Sequence, residues 1–203
     1  MDDYTTLQLS TFDRLSDYLR NSVPYGKDIK RHILNTAGII RYGHTRYTYD
    51  LVRLGIGMYG ISPLPDDADQ SALKTVATLR TSIIAIHKYP VGATIGYGRR
   101  GVTTRDSVIA TIPIGYADGI NRHLGCGHAS FVVEGIPCPT IGNICMDLCM
   151  IDVTDCPKAH IGSSVEIFGK HAPIQRLAET LNTIPYEILT SVSSRVKRLY
   201  FRE

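Results

Sequence analysis

A proline-rich, acidic stretch divides this sequence of 203 residues into two parts with different patterns. Residues 63–69 read Pro-Leu-Pro-Asp-Asp-Ala-Asp, a composition that interrupts regular structure and is typical of a linker between domains. Before it, apolar residues recur at helical spacing, whereas after it β-branched residues alternate with others. The sequence therefore predicts two domains, one over residues 1–62 and one over residues 63–203.

The first part is predicted to contain one helix and two short parallel strands. Apolar residues recur at near-helical spacing between residues 7 and 19, and a turn at residues 24–26 ends this helix. Residues 32–34 and 50–54 are short apolar segments, each followed by a loop, as in a buried parallel sheet. Two such units are too few to close a barrel. We therefore expect residues 1–62 to be the C-terminal part of a larger α/β domain.

The second part is predicted to be rich in β structure. Glycine-containing turns separate five segments with β-branched alternation, at residues 75–87, 107–113, 130–133, 146–153 and 165–168. One helix, with a proline in its first turn, is predicted at residues 173–181. This spacing of elements is typical of a compact β-barrel or sandwich.

The distribution of charge argues against a nucleic-acid-binding protein. The net charge is only +3 at pH 7, and the lysines and arginines are scattered along the chain. In the one dense basic stretch, residues 195–198, basic residues alternate with an apolar one, which predicts a half-buried strand. Because no apolar run is long enough for a membrane span and the N-terminus is acidic, we expect a cytoplasmic protein without a membrane partner.

The cysteines give no sign of a metal site or of a disulfide framework. There are five of them, an odd number, and none belongs to a Cys-x-x-Cys pair. Cys145 and Cys149 lie four residues apart in an alternating apolar segment, so we expect small buried thiols there.

Two segments carry polar groups where packing alone would not place them. Arg53 lies in a segment predicted to be a buried strand, where a guanidinium needs a partner. The following Gly55 and Ile56 could offer backbone amides to an anion. Tyr97 lies between two glycines beside two arginines, and neighbouring cations favour the ionised form of a phenol. A plain surface turn is the alternative interpretation of the Tyr97 segment.

Three further segments break apolar patterns in the same way, at residues 114–119, 142–147 and 184–187. The last of these places Tyr186 at a predicted helix start, where its hydroxyl could reach an anion. A tyrosine packed in the core is the alternative interpretation.

Taken together and in this order, the five segments resemble the C-terminal half of alanine racemases over essentially the entire chain. The matching motifs are Arg-Leu-Gly-Ile-Gly-Met-Tyr-Gly, Gly-Tyr-Gly-Arg, Ile-Gly-Tyr-Ala-Asp-Gly, Ile-Cys-Met-Asp and Pro-Tyr-Glu. The resemblance implies an α/β plus mainly β fold: residues 1–62 are the end of an eight-stranded α/β (TIM-type) barrel that binds pyridoxal 5'-phosphate, and residues 63–203 are a β-rich domain. The segment around Tyr186 also resembles a subgroup fused to the D-alanyl-D-alanine-adding ligase of murein synthesis.

The resemblance assigns the catalytic role to Tyr97. It implies that this tyrosine removes the α-proton on one face of the substrate, acting on the cofactor of the partner subunit in a head-to-tail homodimer. Arg53 resembles the arginine that meets the pyridine nitrogen of the cofactor. Because arginine does not give up its proton, that nitrogen stays unprotonated and the cofactor is a weaker electron sink. His32 resembles the histidine that supports this arginine.

The remaining cofactor and substrate contacts are implied in the same way. The phosphate would be bound by Thr36, by the amides of Gly55 and Ile56, and by Tyr186. For the substrate, the backbone N–H of Met146 would meet the carboxylate, while Tyr116 and Asp147 would line the path by which alanine reaches the site. Asn143 departs from the family, since many relatives have an arginine at this position.

The function implied is pyridoxal-phosphate-dependent racemisation of L-alanine and D-alanine, supplying D-alanine for peptidoglycan. The seven lysines lie in no segment like the one that carries the cofactor-binding lysine of the family. We therefore expect the chain alone to be inactive, since it lacks the covalent anchor and the second base. A non-catalytic β domain for dimerisation or binding, or a racemase of another small amino acid such as serine, are the alternatives.

Overall fold

The computed structural model describes residues 2–64 and 72–201. Most of the predicted linker, residues 65–69, lies outside this described part. The chain forms two compact units, residues 1–76 and residues 77–203. The assignment of residues 1–62 to a cofactor-binding barrel stays a prediction.

The first unit contains the predicted N-terminal helix, α1 (Asp3–Ser22), and a second helix, α2 (Thr36–Tyr42). The helix α1 begins after Asp2, whose side-chain oxygen accepts the amide of Thr5 at 2.7 Å. Leu9 is its buried residue, and the chain turns after Ser22 as the sequence predicts. The prediction of a helix closed by this turn is confirmed, although Leu7, Leu15 and Leu19 are exposed.

The two parallel strands predicted in the first unit are not regular strands. Residues 31–34 and 50–53 nevertheless run side by side in the same direction, because the carbonyl of Arg31 accepts the amide of Leu51 at 3.3 Å and that of Leu34 accepts the amide of Arg53 at 2.8 Å. The apolar side chains of the second predicted strand, residues 50–54, are not buried, since Leu51, Val52 and Leu54 are 53%, 42% and 50% exposed. Without further strands on either side, these few bonds make no ladder.

The second unit is built from antiparallel β-strands. They are β1 (Leu79–Ser82), β2 (Ala85–Tyr89), β3 (Thr94–Ile95), β4 (Gly101–Val102), β5 (Ser107–Ile112), β6 (Ser130–Val133), β7 (Ile136–Pro139), β8 (Cys149–Asp152) and β9 (Ser164–Phe168). They form a sheet in the order β1-β9-β6-β7, a second sheet in the order β2-β5-β8, and the short pair β3-β4. Two helices follow, α3 (Ile174–Thr180) and α4 (Pro185–Ser191).

Alternate residues along these strands form the core of the second unit. Phe131, Val133, Val165, Ile112 and Ile151 are completely buried. The predicted segment 130–133 coincides with β6, and the other alternating segments each contain at least one strand, so the β-rich prediction is confirmed. A fully buried aliphatic or phenylalanine side chain contributes roughly 1.5–3 kcal/mol to folding, which makes this set the main source of stability here.

The predicted strand at residues 195–198 is wrong. These residues form a turn followed by irregular chain, and Arg195, Lys197 and Arg198 are exposed. The alternation of basic and apolar residues there arises because Arg195 binds two aspartates while Arg198 caps the carbonyls of Val192 and Ser193. A network of polar contacts therefore gives the same alternation of basic and apolar residues as a half-buried strand.

Within the described ranges, the helices are all too short or too polar to cross a membrane.

The stability of the two units should differ. In the first unit only four apolar side chains among the described residues are buried, namely Leu9, Leu34, Ile56 and Ile61, and many others lie exposed. We expect amide hydrogen exchange of the full chain to be slow in β5, β6, β8 and β9 and much faster throughout α1 and α2. The reason is that local opening of α1 and α2 exposes few buried apolar side chains. Uniform protection of residues 2–62 in the monomer would contradict this expectation.

Candidate functional site

In the first unit, Arg53 and His32 are in contact, with the guanidinium Nη1 of Arg53 3.1 Å from Nδ1 of His32. The same guanidinium nitrogen donates to the carbonyl of His32 at 3.3 Å. Because arginine has donors only, Nδ1 of His32 is the acceptor in this contact. The prediction that Arg53 is buried in a strand is wrong, since it is exposed in irregular chain.

Thr36 and Gly55 form the second predicted contact of this unit. The amide of Gly55 donates to Oγ1 of the buried Thr36 at 3.0 Å, which joins the start of α2 to the turn at Ile56–Tyr59. A methyl group added at Gly57 would lie 2.9 Å from Cγ2 of Thr36, so the Gly57 backbone packs closely against the Thr36 side chain. Within the described ranges, the hydroxyl proton of Thr36 has no acceptor, and it remains available to a ligand.

In the second unit, Tyr97 lies on a short turn between β3 and β4. The turn Tyr97–Arg99 has three residues with positive φ in or beside it, since Gly96, Gly98 and Arg99 have φ of 76°, 67° and 54°. Nε of Arg99 donates to the hydroxyl of Thr94 at 3.1 Å and closes the turn onto β3. The ring of Tyr97 is 75% exposed, as a side chain that reacts with a ligand requires.

Asn143 holds this turn from a neighbouring segment. Its side-chain amide donates to the carbonyl of Tyr97 at 3.0 Å. The backbones also approach closely, because a methyl group added at Gly101 would lie 2.7 Å from the nitrogen of Gly142. The sequence marked Asn143 only as a departure from the family, and its contact with Tyr97 was not predicted.

Tyr116 lies on a second turn, Tyr116–Asp118, packed against the same neighbouring segment. The amide of Tyr116 donates to the carbonyl of Cys145, and the amide of Ala117 to the carbonyl of Met146, each at 3.0 Å. Gly115 permits this approach, since an added methyl group would lie 2.4 Å from both of those carbonyl oxygens. Tyr116 and Met146, two predicted substrate contacts, are therefore joined through their backbones.

Asp118 and Arg195 form an ion pair beside the Tyr116 turn that the sequence analysis missed. The buried carboxylate of Asp118 accepts the amide of Gly115 at 2.9 Å and Nε of Arg195 at 2.7 Å. Arg195 also donates to Asp147 at 2.5 Å. Burial alone would raise the pKa of Asp118, but the hydrogen bonds from Arg195 and Gly115 outweigh it and lower the pKa. The stabilisation is therefore present above the ordinary aspartate value and is lost as the pH falls through the lowered one.

The sequence signal for this network was an aspartate inside a glycine-bounded turn. If such a carboxylate is buried, it requires a cation or several donors. The identity of its partner could not be deduced, since Arg195 lies 77 positions away and was interpreted as part of a strand.

Tyr186 lies in the first turn of α4, which starts at Pro185 as predicted. Its side chain is 42% exposed, so it is not the core tyrosine of the alternative interpretation. The end of this helix packs on the Tyr116 turn, where Oγ of Ser191 donates to the carbonyl of Gly119 at 3.3 Å. The Tyr116 turn is thus held between α4 and the Cys145–Met146 backbone.

The thiol of Cys149 is not suited to act as a nucleophile. Cys149 is buried, and burial raises its pKa to about 12. Cys145 is half-buried, so the prediction of buried thiols is confirmed in full only for Cys149. Over residues 2–64 and 72–201, the structure brings together no group of histidine, cysteine and acidic side chains that could hold a metal ion.

Two family models match the sequence. The alanine racemase N-terminal domain matches residues 1–63, and the alanine racemase C-terminal domain matches residues 76–200. Alanine racemase 1 of Clostridium acetobutylicum is 39% identical to the chain over 208 residues, which cover 98% of this chain and 52% of that relative.

Solved structures give the same result. Alanine racemase from Bartonella henselae, with covalently bound pyridoxal phosphate, has a TM-score of 0.85 at 33% identity over 98% of this chain and 53% of its own. An alanine racemase of Clostridium difficile 630 has a TM-score of 0.87 at 32% identity over 99% of this chain and 51% of its own. The chain therefore spans about half the length of the relatives it matches.

The contact between Asn143 and Tyr97 can be tested by an isosteric change. Asn143→Asp removes the donor and places a carboxylate against the carbonyl of Tyr97, so a bond that contributes about 0.5–1.5 kcal/mol is lost. We expect the amide of Arg99, which closes the turn, to exchange about tenfold faster, as measured by hydrogen exchange and NMR.

The matched control is Asn121→Asp, because Oδ1 of Asn121 acts as an acceptor for the amide of His123 at 2.9 Å and aspartate keeps that role. Unchanged exchange at Arg99 in Asn143→Asp would show that the turn holds its shape without this bond.

Proposed function

Because the chain belongs to the alanine racemase family, we propose that it forms the C-terminal part of a pyridoxal-phosphate-dependent enzyme that interconverts L-alanine and D-alanine. The observation that carries the proposal is that Tyr97 and Tyr116 are both hydrogen-bonded to one loop, residues 142–148, and that this loop contains Met146. An acid/base, a channel-lining tyrosine and a carboxylate-binding amide need a fixed mutual geometry, and a common support supplies it.

The first unit has groups that fit the cofactor. The hydroxyl of Thr36 and the amide of Ile56 are donors suited to a phosphate, while the guanidinium of Arg53 is a donor suited to an unprotonated ring nitrogen. The two contacts with His32 hold the guanidinium of Arg53 beside residues 31–34. When bound, the cofactor withdraws electrons from the α-carbon and so makes the α-proton of alanine acidic.

The parallel course of residues 31–34 and 50–53 supports placing this unit at the end of an eight-stranded α/β barrel. In such a barrel the loops that follow the strands form the active-site face, and both Thr36 and Gly55 lie directly after these segments. Tyr186, in the second unit, is proposed to add its hydroxyl to the phosphate site.

Tyr97 is proposed to hold and move the α-proton on one face of the substrate. Its exposed ring lies on a turn closed by Arg99 and anchored by Asn143, so the hydroxyl is both accessible and positioned.

Met146 is proposed to bind the substrate carboxylate through its backbone amide. Its carbonyl is used by Ala117, but its N–H donates to no partner among residues 2–64 and 72–201. Such a donor is exposed and ready to meet an anion. Tyr116 and Asp147, on either side of this contact, would line the path taken by alanine.

Racemisation needs a base on each face of the α-carbon, and no lysine of this chain lies in a segment like the family's cofactor-binding one. We therefore propose that the second base and the covalent anchor lie outside these 203 residues, and that the chain alone does not turn over alanine. In the complete enzyme we propose a head-to-tail homodimer in the cytoplasm, in which Tyr97 serves the partner's cofactor and the product supplies peptidoglycan synthesis.

A chimaera tests the function directly. This chain would replace the matching half of alanine racemase 1 of Clostridium acetobutylicum, and conversion of L-alanine to D-alanine would be assayed with a D-amino-acid-specific oxidase. We expect turnover in the usual enzymatic range of about 1–10³ s⁻¹. A chimaera that folds and retains pyridoxal phosphate but racemises serine and not alanine would overturn the choice of substrate. One that racemises neither would overturn the function.

In the same chimaera, Tyr97→Phe should lower turnover by about 10²–10⁴-fold, because a general base is lost while the cofactor contacts remain. Exchange of the α-proton in heavy water separates the two faces, and we expect it to be lost from L-alanine and kept from D-alanine. Tyr18→Phe is the matched control, since Tyr18 is 72% exposed on α1. Exchange like that of the unmodified chimaera from both enantiomers would reduce Tyr97 to a structural residue.

A further inference from the structure

Arg195 binds two carboxylates that belong to different segments of the site. Its Nε lies 2.7 Å from Oδ1 of Asp118, on the Tyr116 turn, and its Nη2 lies 2.5 Å from Oδ1 of Asp147, next to Met146. The guanidinium is a rigid fork, so fixing one nitrogen also fixes the direction of the other. One side chain therefore sets the separation of the two segments.

The Asp118 side of this bridge has every oxygen in use. One carboxylate oxygen accepts Arg195, the other accepts the amide of Gly115 at 2.9 Å, and the backbone carbonyl accepts the amide of Ser193 at 3.0 Å. Asp118 is only 8% exposed, and a buried carboxylate without its cation is strongly destabilised. Arg195 thus allows Asp118 to hold the turn from inside.

The Asp147 side lies on the surface, since its side chain is 56% exposed. A surface ion pair of this kind contributes little to stability. It does, however, connect Arg195 to the loop next to Met146, whose amide has no partner among the described residues. The backbone bonds from Tyr116 to Cys145 and from Ala117 to Met146 lie between the two ion pairs.

We propose that Arg195 is a positioning residue that fixes the Met146 amide relative to the Tyr116 turn, and so sets the affinity for the carboxylate of the substrate. This role rests on the proposed function for its substrate, but the joining of the two segments by Arg195 does not. Lysine cannot reproduce it fully, because an ammonium group lacks the planar fork that reaches both carboxylates in fixed directions.

The first experiment measures amide exchange in the full chain for Arg195→Gln and Arg195→Lys. In Arg195→Gln we expect the amides of Gly115, Tyr116, Ala117 and Cys145 to exchange at least tenfold faster, while those of β5, β6 and β8 keep their rates. In Arg195→Lys we expect exchange rates between those of the unmodified chain and those of Arg195→Gln, since one carboxylate keeps a cation. Acceleration confined to one segment would contradict the bridge.

The matched control is Arg105→Gln, which breaks another arginine–aspartate pair, that of Arg105 with Asp155, in segments that carry none of the proposed site residues. It should leave both site segments unchanged. Unchanged exchange of both segments in Arg195→Gln would overturn the positioning role. Equal acceleration of the entire β core would also overturn it, and would leave Arg195 with a general effect on stability.

The second experiment measures steady-state kinetics in the chimaera described above. Arg195→Gln should raise KM for alanine about tenfold and change kcat by less than about twofold, because Arg195 binds the loop at Asp147, whereas Tyr97 is bound at the other end of the loop by Asn143. Arg195→Lys should recover part of the affinity. A fall in kcat with unchanged KM would contradict the proposal, whereas an inactive unmodified chimaera would count against the proposed function and leave the exchange experiment to decide the bridge.

Discussion

Close packing of backbone on residues 142–148 determines where both tyrosine-bearing turns lie. The Tyr97 turn reaches this segment through the side chain of Asn143 and the approach of Gly101 to Gly142. The Tyr116 turn reaches it through two amides that bind consecutive carbonyls. At these distances a single added methyl group has no room, so glycine is required where the turns meet the loop.

This constraint explains how polar groups can be concentrated at one edge of an apolar β unit. The strands β5 and β8 pair beneath the loop, and their inward residues, among them Ile112 and Ile151, form the rigid support. Above them, each buried polar group of the Tyr116 turn has a partner, with Asp118 bound by Gly115 and Arg195. The amide of Met146 donates to no partner among the described residues, and the residue is 54% exposed.

The sequence predicted local features well and long-range ones poorly. The segment that became β6 and the start of α4 were predicted because alternation and a proline at a helix start depend on neighbouring residues only. The strands of the first unit were predicted from apolar runs, but regular pairing and burial depend on strands that these residues do not provide. Arg195 was misassigned because its partners, Asp118 and Asp147, lie 77 and 48 positions away.

The central claim is that the 142–148 loop couples the two tyrosine turns. NMR amide shifts of a Gly101→Ala variant test it, because the added methyl group would lie 2.7 Å from the nitrogen of Gly142 and must displace the loop. We predict shift changes that include the Tyr116 and Ala117 amides. Gly135→Ala strains its own turn, where φ is 80°, but its added methyl group meets open space, so it should leave these amides unchanged. Changes in Gly101→Ala that spare the Tyr116 turn would contradict the account.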